Sequence, residues 1–291
     1  MDIGYYPGCT LHASSSLYDV QSRRVFSEIG ITLNEIDDWN CCGATSAGKI
    51  DDFLAVAMPA RNLGLAEAEG FSEMVIPCSA CYSRMLVAQK QLENNIKLKE
   101  EINAELSKKV QGTIKVSSIL EVLLTPSASD ELAAKVTKEL KGIQAACYYG
   151  CLQTRFPFKI PINDDVENPQ GMERILKLLK AKTIDWSYKT DCCGASASVD
   201  DETTAFNLMA KIMKDALSRG ANCLVVTCPL CQLNLDAYQD KFCKKHGIQD
   251  RLPVYFITEL IGLALGMSPD ELQIDRHFID GSELLKELDL I

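Results

Sequence analysis

The chain has 291 residues, 47% of them hydrophobic and 24% charged, a composition that suits a soluble globular fold and excludes a disordered or fibrous one. Its net charge of −10 argues against nucleic acid as the main partner, because binding phosphates needs a basic face. The longest apolar run, 257–267, falls short of the ~18 residues a membrane helix needs, and the N-terminus has no basic-then-apolar leader, so a cytoplasmic protein with no membrane span is expected.

Taken in order, residues 3–7 read as a short strand that reaches Gly8-Cys9 ahead of a helix over 14–29. A second strand, 31–36, runs into the polar loop Asp37-Asp38-Trp39-Asn40, which carries Cys41-Cys42-Gly43. Asp51 or Asp52 then caps a helix ending near Gly70. The apolar strand 74–77 delivers Cys78 to its C-terminal end, with Cys81 on the first turn of a helix whose charged face continues through 89–109. A last strand near 114–116 and a short helix over 119–124 complete the set. The turn cluster at 125–129 is the best boundary in the chain, dividing a first unit at 1–125 from a second at 126–291.

The second unit repeats the first. A linking helix over 130–141 leads to the strand 144–149 and Gly150-Cys151. A helical stripe at Met172, Ile175, Leu176 and Leu179 precedes a strand at 183–186 and then Cys192-Cys193-Gly194. The apolar stripe Phe206, Met209, Ala210, Met213 and Leu217, the strand 224–227 with Cys228 and Cys231, and the strand 254–257 with its helix follow in the same order. The fold class is therefore α/β, two small Rossmann-like units related by a pseudo-twofold axis, with an acidic tail over about 266–291 outside the repeat.

Ten of the thirteen cysteines belong to this repeat: Cys9, Cys41, Cys42, Cys78 and Cys81, then Cys151, Cys192, Cys193, Cys228 and Cys231. So many thiols in a chain with no leader point to metal or redox chemistry rather than to a disulfide scaffold. Zinc uses four ligands per tetrahedral site and would leave one cysteine of each five unused. Adjacent cysteines bind one tetrahedral ion only with strain but readily ligate different irons of a cluster, so iron–sulfur is favoured over zinc. Cys151 is preferred to Cys147 as the first ligand of the second set, because Tyr149-Gly150-Cys151 aligns with Pro7-Gly8-Cys9.

These ten cysteines, over roughly residues 1–265, resemble the cysteine-rich Cys-Cys-Gly (CCG) domain, and two such domains in one chain resemble the B subunit of the heterodisulfide reductase of methanogenic archaea. The resemblance implies two non-cubane [4Fe-4S] clusters, one per cysteine set, and reduction of the coenzyme M–coenzyme B heterodisulfide to two thiols. It implies as partners the iron–sulfur C subunit and the flavin-bearing, iron–sulfur A subunit of that reductase, with an associated hydrogenase or formate dehydrogenase. One electron added to a disulfide gives a high-energy radical anion, which supply from two clusters avoids. The alternatives are an electron-transfer subunit like the CCG chains of lactate, glycolate and succinate oxidoreductases, or a zinc-stabilised interaction module.

An anionic disulfide in an acidic chain needs local cations. Arg155 and Lys159 after Cys151, Lys49 after the first Cys-Cys-Gly and Arg84 after Cys81 are the candidates, with Arg155 first because a guanidinium grips a sulfonate or phosphate with two hydrogen bonds. His12, after Cys9, is in reach of a cluster or substrate but reads more simply as a cap or surface residue. Cys147, Cys223 and Cys243 read as core, His246 and His277 have no ligand spacing, and the paired aspartates read as helix caps. No Gly-rich nucleotide fingerprint is present.

Overall fold

A computed structural model describes residues 1–44 and 46–291. The first half runs β1 (Asp2–Tyr5), the one-turn α1 (Gly8–Leu11), α2 (Ser16–Glu28), β2 (Thr32–Glu35), α3 (Ala47–Ile50), α4 (Asp52–Ala68), β3 (Glu73–Ile76), α5 (Ser79–Asn94), α6 (Ile96–Glu105), β4 (Lys115–Ser118) and α7 (Ile119–Leu123). After α8 (Pro126–Lys135), the second half runs β5 (Gln144–Tyr148), α9 (Gly171–Leu178), β6 (Lys182–Thr183), α10 (Glu202–Ser218), β7 (Cys223–Val226), α11 (Pro229–Ala237), α12 (Gln239–His246), β8 (Val254–Phe256) and α13 (Ile257–Ala264).

Each half forms a four-stranded parallel sheet, ordered β2-β1-β3-β4 and β6-β5-β7-β8. The central strands β3, after Glu73 at its start, and β7 are apolar without alternation and buried, as strands covered by helices on both faces must be. The C-terminal ends of the central strands lie at one edge of each sheet, where ligands of open α/β folds collect, and that edge receives the cysteine loops.

The halves pack reciprocally. Helix α13 of the second lies on α2 of the first, and its counterpart α7 lies on α9, the equivalent of α2. Tyr18 of α2 stacks on Phe256 with ring centroids 3.9 Å apart, and its hydroxyl donates to the Thr227 carbonyl at 2.8 Å.

The local departures from expectation have local causes. The turn cluster at 125–129 follows the end of α7 and at once opens the next helix, so the linking helix expected over 130–141 lies at Pro126–Lys135, because Thr125 caps it with Pro126 in its first turn. The long charged helix breaks after Asn94, where the Asn95 side chain accepts from Leu98 N and starts α6. The strand expected at 183–186 shortens to two residues, since only Lys182 and Thr183 find partners on β5. The C-terminal tail forms α14 (Pro269–Leu272), one 3₁₀ turn and α15 (Ser282–Glu287), and crosses to the first half through Arg24–Glu271 and Gln21–Leu272 O. Among the described residues no helix is long and apolar enough to cross a membrane.

Candidate metal centres

In the first half, β1 hands the chain to Tyr6-Pro7-Gly8. Gly8 sits at φ +73°, and a β-carbon there would come within 3.1 Å of the Cys81 sulfur, so glycine lets this turn pass close to a thiol and present Cys9 beyond it. The loop after β2 is pinned at Asn40, whose carbonyl accepts from the Tyr6 hydroxyl at 2.8 Å and from the buried Asn62 amide at 2.8 Å. That fixes Cys41 and Cys42. The end of β3 supplies Cys78, and the first turn of α5 supplies Cys81. The Cys42 and Cys81 sulfurs are 3.1 Å apart, those of Cys9 and Cys41 are 4.0 Å apart, and Gly43 N donates to the Cys41 sulfur at 3.4 Å.

The second half rebuilds this geometry with other residues. Gly150, at φ +69°, would place a β-carbon 2.9 Å from the Cys231 sulfur. The Tyr148 hydroxyl donates to Asp191 O at 2.6 Å, Gly194 N donates to the Cys192 sulfur at 3.3 Å, and the Cys193 and Cys231 sulfurs are 3.6 Å apart. Cys151 pairs with Cys192, while Cys147, inside β5, is fully buried and away from the loops. Cys78 and Cys228 approach each other across the junction of the halves, joining the two arrays. Beside them lies a cavity of about 100 Å³, walled by Ser79 and Ala80 from one half and by Tyr149, Cys151, Cys192 and Leu230 from the other.

Residues 3–86 and 145–236 each match the family model described as the CCG cysteine-rich domain. The chain belongs to the CCG cysteine-rich domain family. It is 34% identical to the 8-methylmenaquinol:fumarate reductase membrane anchor subunit of Wolinella succinogenes, over 97% of this chain and 99% of that protein. It is 29% identical to the B subunit of the ferredoxin:CoB-CoM heterodisulfide reductase of Methanosarcina mazei, over 98% and 96% of the two chains. A protein of Archaeoglobus profundus, described as like the heterodisulfide reductase B subunit, is 27% identical over 92% of each chain. The fold is shared with the crystal structure of a hypothetical protein from Helicobacter pylori, with a TM-score of 0.76 at 16% identity over 95% of this chain, which spans 51% of that one.

Each CCG unit carries a donor set suited to a thiolate-ligated cluster. Zinc would draw four sulfurs to about 2.3 Å from one point. Each unit instead gathers five sulfurs from several loops, with Cys42 beside Cys81 and Cys9 beside Cys41 in the first and Cys193 beside Cys231 in the second, a spread that suits ligation of several irons. Their charges are already polarised. Cys41 and Cys81 hold the Cys42 thiol down, at about 4, with Arg84 acting in the same sense, while Cys41 itself is pushed up by Cys42. Cys151 likewise holds Cys192 down at about 6 and is raised in turn. Thiols crowded in this way, of which only some are held down, give up their remaining protons when a cation compensates the charge.

The cations differ in placement. Lys49 and Arg84 line an open cleft with Phe53, Phe158 and Ser196, and this cleft meets the thiol-walled cavity at Ala44 and Ser196. Arg84 Nη2 donates to Ala44 O at 2.9 Å. The Arg155 guanidinium is held by Thr190 Oγ1 at 2.8 Å and Glu167 at 3.2 Å, and Lys159 is exposed. His12 pairs with Glu35 at 3.0 Å and packs edge-on to Trp39. Cys147, Cys223 and Cys243 are fully buried, and burial raises the Cys147 and Cys223 thiols.

Sequence reasoning missed a polar network beneath the second centre. Buried Lys189 pairs with Glu173 at 2.5 Å, and Glu173 accepts the Tyr149 hydroxyl, also at 2.5 Å. It also missed Ser79 Oγ donating to Gln153 Oε1 at 2.7 Å across the halves. A buried lysine gives no periodic signal, since charged residues are solvated by default.

Proposed function

We propose that this chain is the catalytic subunit of a disulfide-reducing complex. Cys9, Cys41, Cys42, Cys78 and Cys81 hold one non-cubane [4Fe-4S] cluster, Cys151, Cys192, Cys193, Cys228 and Cys231 hold a second, and the substrate is the coenzyme M–coenzyme B heterodisulfide. The observation that carries this reading is that both five-cysteine sets are complete and meet at Cys78 and Cys228 beside one cavity. When bound, such clusters would supply the two electrons, one at a time, that turn one disulfide and two protons into two thiols. The chain's residues do the rest. Tyr149, Ala80 and Leu230 wall the cavity and exclude water from the reacting sulfurs. Lys49 and Arg84 give the adjoining cleft the positive charge that an anionic arm needs on a protein of net charge −10. One hydrogen bond to Ala44 O leaves Arg84 other donors for a ligand, whereas Arg155 is held by Thr190 and Glu167. Lys49 and Arg84 therefore take precedence over Arg155, Lys159 and His12. Cys9, Cys41 and Cys192 are exposed, which suits electron delivery by the reductase's iron–sulfur C subunit and flavin-bearing A subunit, with a hydrogenase or formate dehydrogenase beyond them.

A second reading, an electron-transfer subunit of a fumarate reductase, is favoured by the 34% identity to the Wolinella succinogenes protein along nearly the whole chain. Anaerobic incubation of the iron-loaded protein with reduced viologen and the heterodisulfide separates the two. Release of two thiols per disulfide supports the first reading, with Lys49→Ala raising KM several-fold at unchanged iron content. A fully loaded protein that releases no thiol, by itself or in the presence of its partners, supports the second.

A further inference from the structure

The two CCG units repeat their cysteines and their local hydrogen bonds, but not the charges beside them. The residue before the vicinal pair is Asn40 in the first unit and Asp191 in the second. Both backbones are held alike, since Tyr6 and Tyr148 donate to their carbonyls at 2.8 and 2.6 Å. The residue three beyond the last cysteine is Arg84 in the first unit and Asn234 in the second. Both reach back from the second turn of a helix to the Cys-Cys-Gly loop, Arg84 to Ala44 O at 2.9 Å and Asn234 to Cys193 O at 3.2 Å. At equivalent places the side chains bond the same loop in both halves, though not the same carbonyl in the second case, and the charge differs.

The two differences act in the same direction. The first centre has a guanidinium where the second has a neutral amide, and the second has a carboxylate where the first has a neutral amide. Among the described residues neither Arg84 nor Asp191 has an ion-pair partner, whereas Arg23 pairs with Asp19 and Glu35, Arg61 with Asp38, Lys189 with Glu173 and Arg155 with Glu167; Lys49 lines the same cleft as Arg84 and adds to the positive charge on the first unit's side. Reduction adds negative charge to a centre, so a cation alongside favours the reduced state and an anion opposes it.

We infer that Arg84 and Asp191 set the two centres at different potentials, the first unit above the second, so that an electron arriving at the second unit passes on to the first. The inference rests on the reading that each unit holds a cluster. Both residues act through their fields as tuning residues, with no bond made or broken. Each centre accepts one electron from an added reductant. A half-buried unit charge within a few ångströms shifts the reduced-to-oxidised ratio by about tenfold, which for one electron is about 59 mV.

The test is an anaerobic titration of the full chain with dithionite, following each centre by electron paramagnetic resonance, with iron counted in every sample. Wild type should show two midpoints. Arg84→Gln, which keeps a donor for Ala44 O, should lower the upper midpoint by about 59 mV and leave the lower one in place, while Arg84→Lys keeps it near wild type. Asp191→Asn, on a partly exposed loop, should raise the lower midpoint independently, so a failure of the Arg84 variant to fold does not remove the test. Coincident midpoints in wild type overturn the inference, as does an iron-replete Arg84→Gln protein in which neither midpoint moves or both move together. Wild-type protein without iron would refute the cluster reading itself, and the inference with it.

Discussion

Gly150→Ala separates backbone strain from crowding at a thiol. At φ +69° an alanine pays the left-handed penalty of about 1–2 kcal/mol. Its β-carbon would also stand 2.9 Å from the Cys231 sulfur, well inside the ~3.5–4.0 Å of an unstrained contact. Cys231 lies in the first turn of α11 and is buried, so it cannot swing aside freely, and overpacking of this kind costs about 1–3 kcal/mol more. The total is about 2–5 kcal/mol, concentrated on a proposed ligand. Gly247 provides the control, because it has a similar φ of +66° with no atom within 4 Å of its would-be β-carbon, and Gly247→Ala should cost only the backbone part. Anaerobic thermal melts and iron-to-protein ratios read both effects. Gly150→Ala should lose markedly more stability than the control and drop toward half the iron, and Gly8→Ala should do the same for the first unit. Equal melting shifts for Gly150→Ala and Gly247→Ala, with full iron in both, would refute the claim that this glycine exists to admit a sulfur.

The cysteine assignment makes a sharper distinction. Cys41→Ser or Cys193→Ser should leave about half the iron, since each sheet edge assembles its own five thiols, and loss of all iron from either would show that the sites depend on each other. Cys223→Ala and Cys243→Ala should keep both centres at a cost of about 1 kcal/mol, and a missing cluster absorption in either would contradict a core role. His277 in the tail bonds Glu259 at 2.6 Å and lies 3.5 Å from Asp236, both buried. Burial alone would lower its pKa, but the two carboxylates outweigh that and push it up to about 10. Its folded value thus exceeds the ordinary ~6.5, so its stabilisation is complete below ~6.5 and fades as pH rises toward 10. Urea midpoints should fall across that window in wild type and stay flat in His277→Asn, which should itself lose about 3–5 kcal/mol at neutral pH. A wild-type midpoint that does not change from about pH 6.5 to about pH 10 would refute a charged His277.

The sequence spoke clearly wherever a feature is local or repeated. The strand-to-cysteine handoffs at Cys9, Cys78, Cys151 and Cys228, the Asp51 and Asp201 caps and the buried thiols at Cys147, Cys223 and Cys243 follow from spacing and apolar pattern. Thr125-Pro126 was ambiguous because the residues that favour turns also favour the first turn of a helix. Contacts between distant segments left no trace. The tail carries no repeat signature, yet His277 and the Gln21 amide converge on Glu259 from opposite ends of the chain. Lys189–Glu173 gives no pattern, because only the fold brings the two together. The cations near the sites were identifiable by position, but their pairing was not. Arg155 is held by Glu167 and Thr190, twelve and thirty-five residues away, while Arg84 faces the cleft at Ala44.

The most direct test of the central claim is the iron, zinc and acid-labile sulfide content of protein purified without oxygen. Two complete five-thiol sets predict about eight irons and about eight sulfides per chain, with no stoichiometric zinc. About four irons would leave only one CCG unit loaded and contradict a two-cluster catalytic site, and zinc without sulfide would contradict iron–sulfur chemistry in this protein altogether.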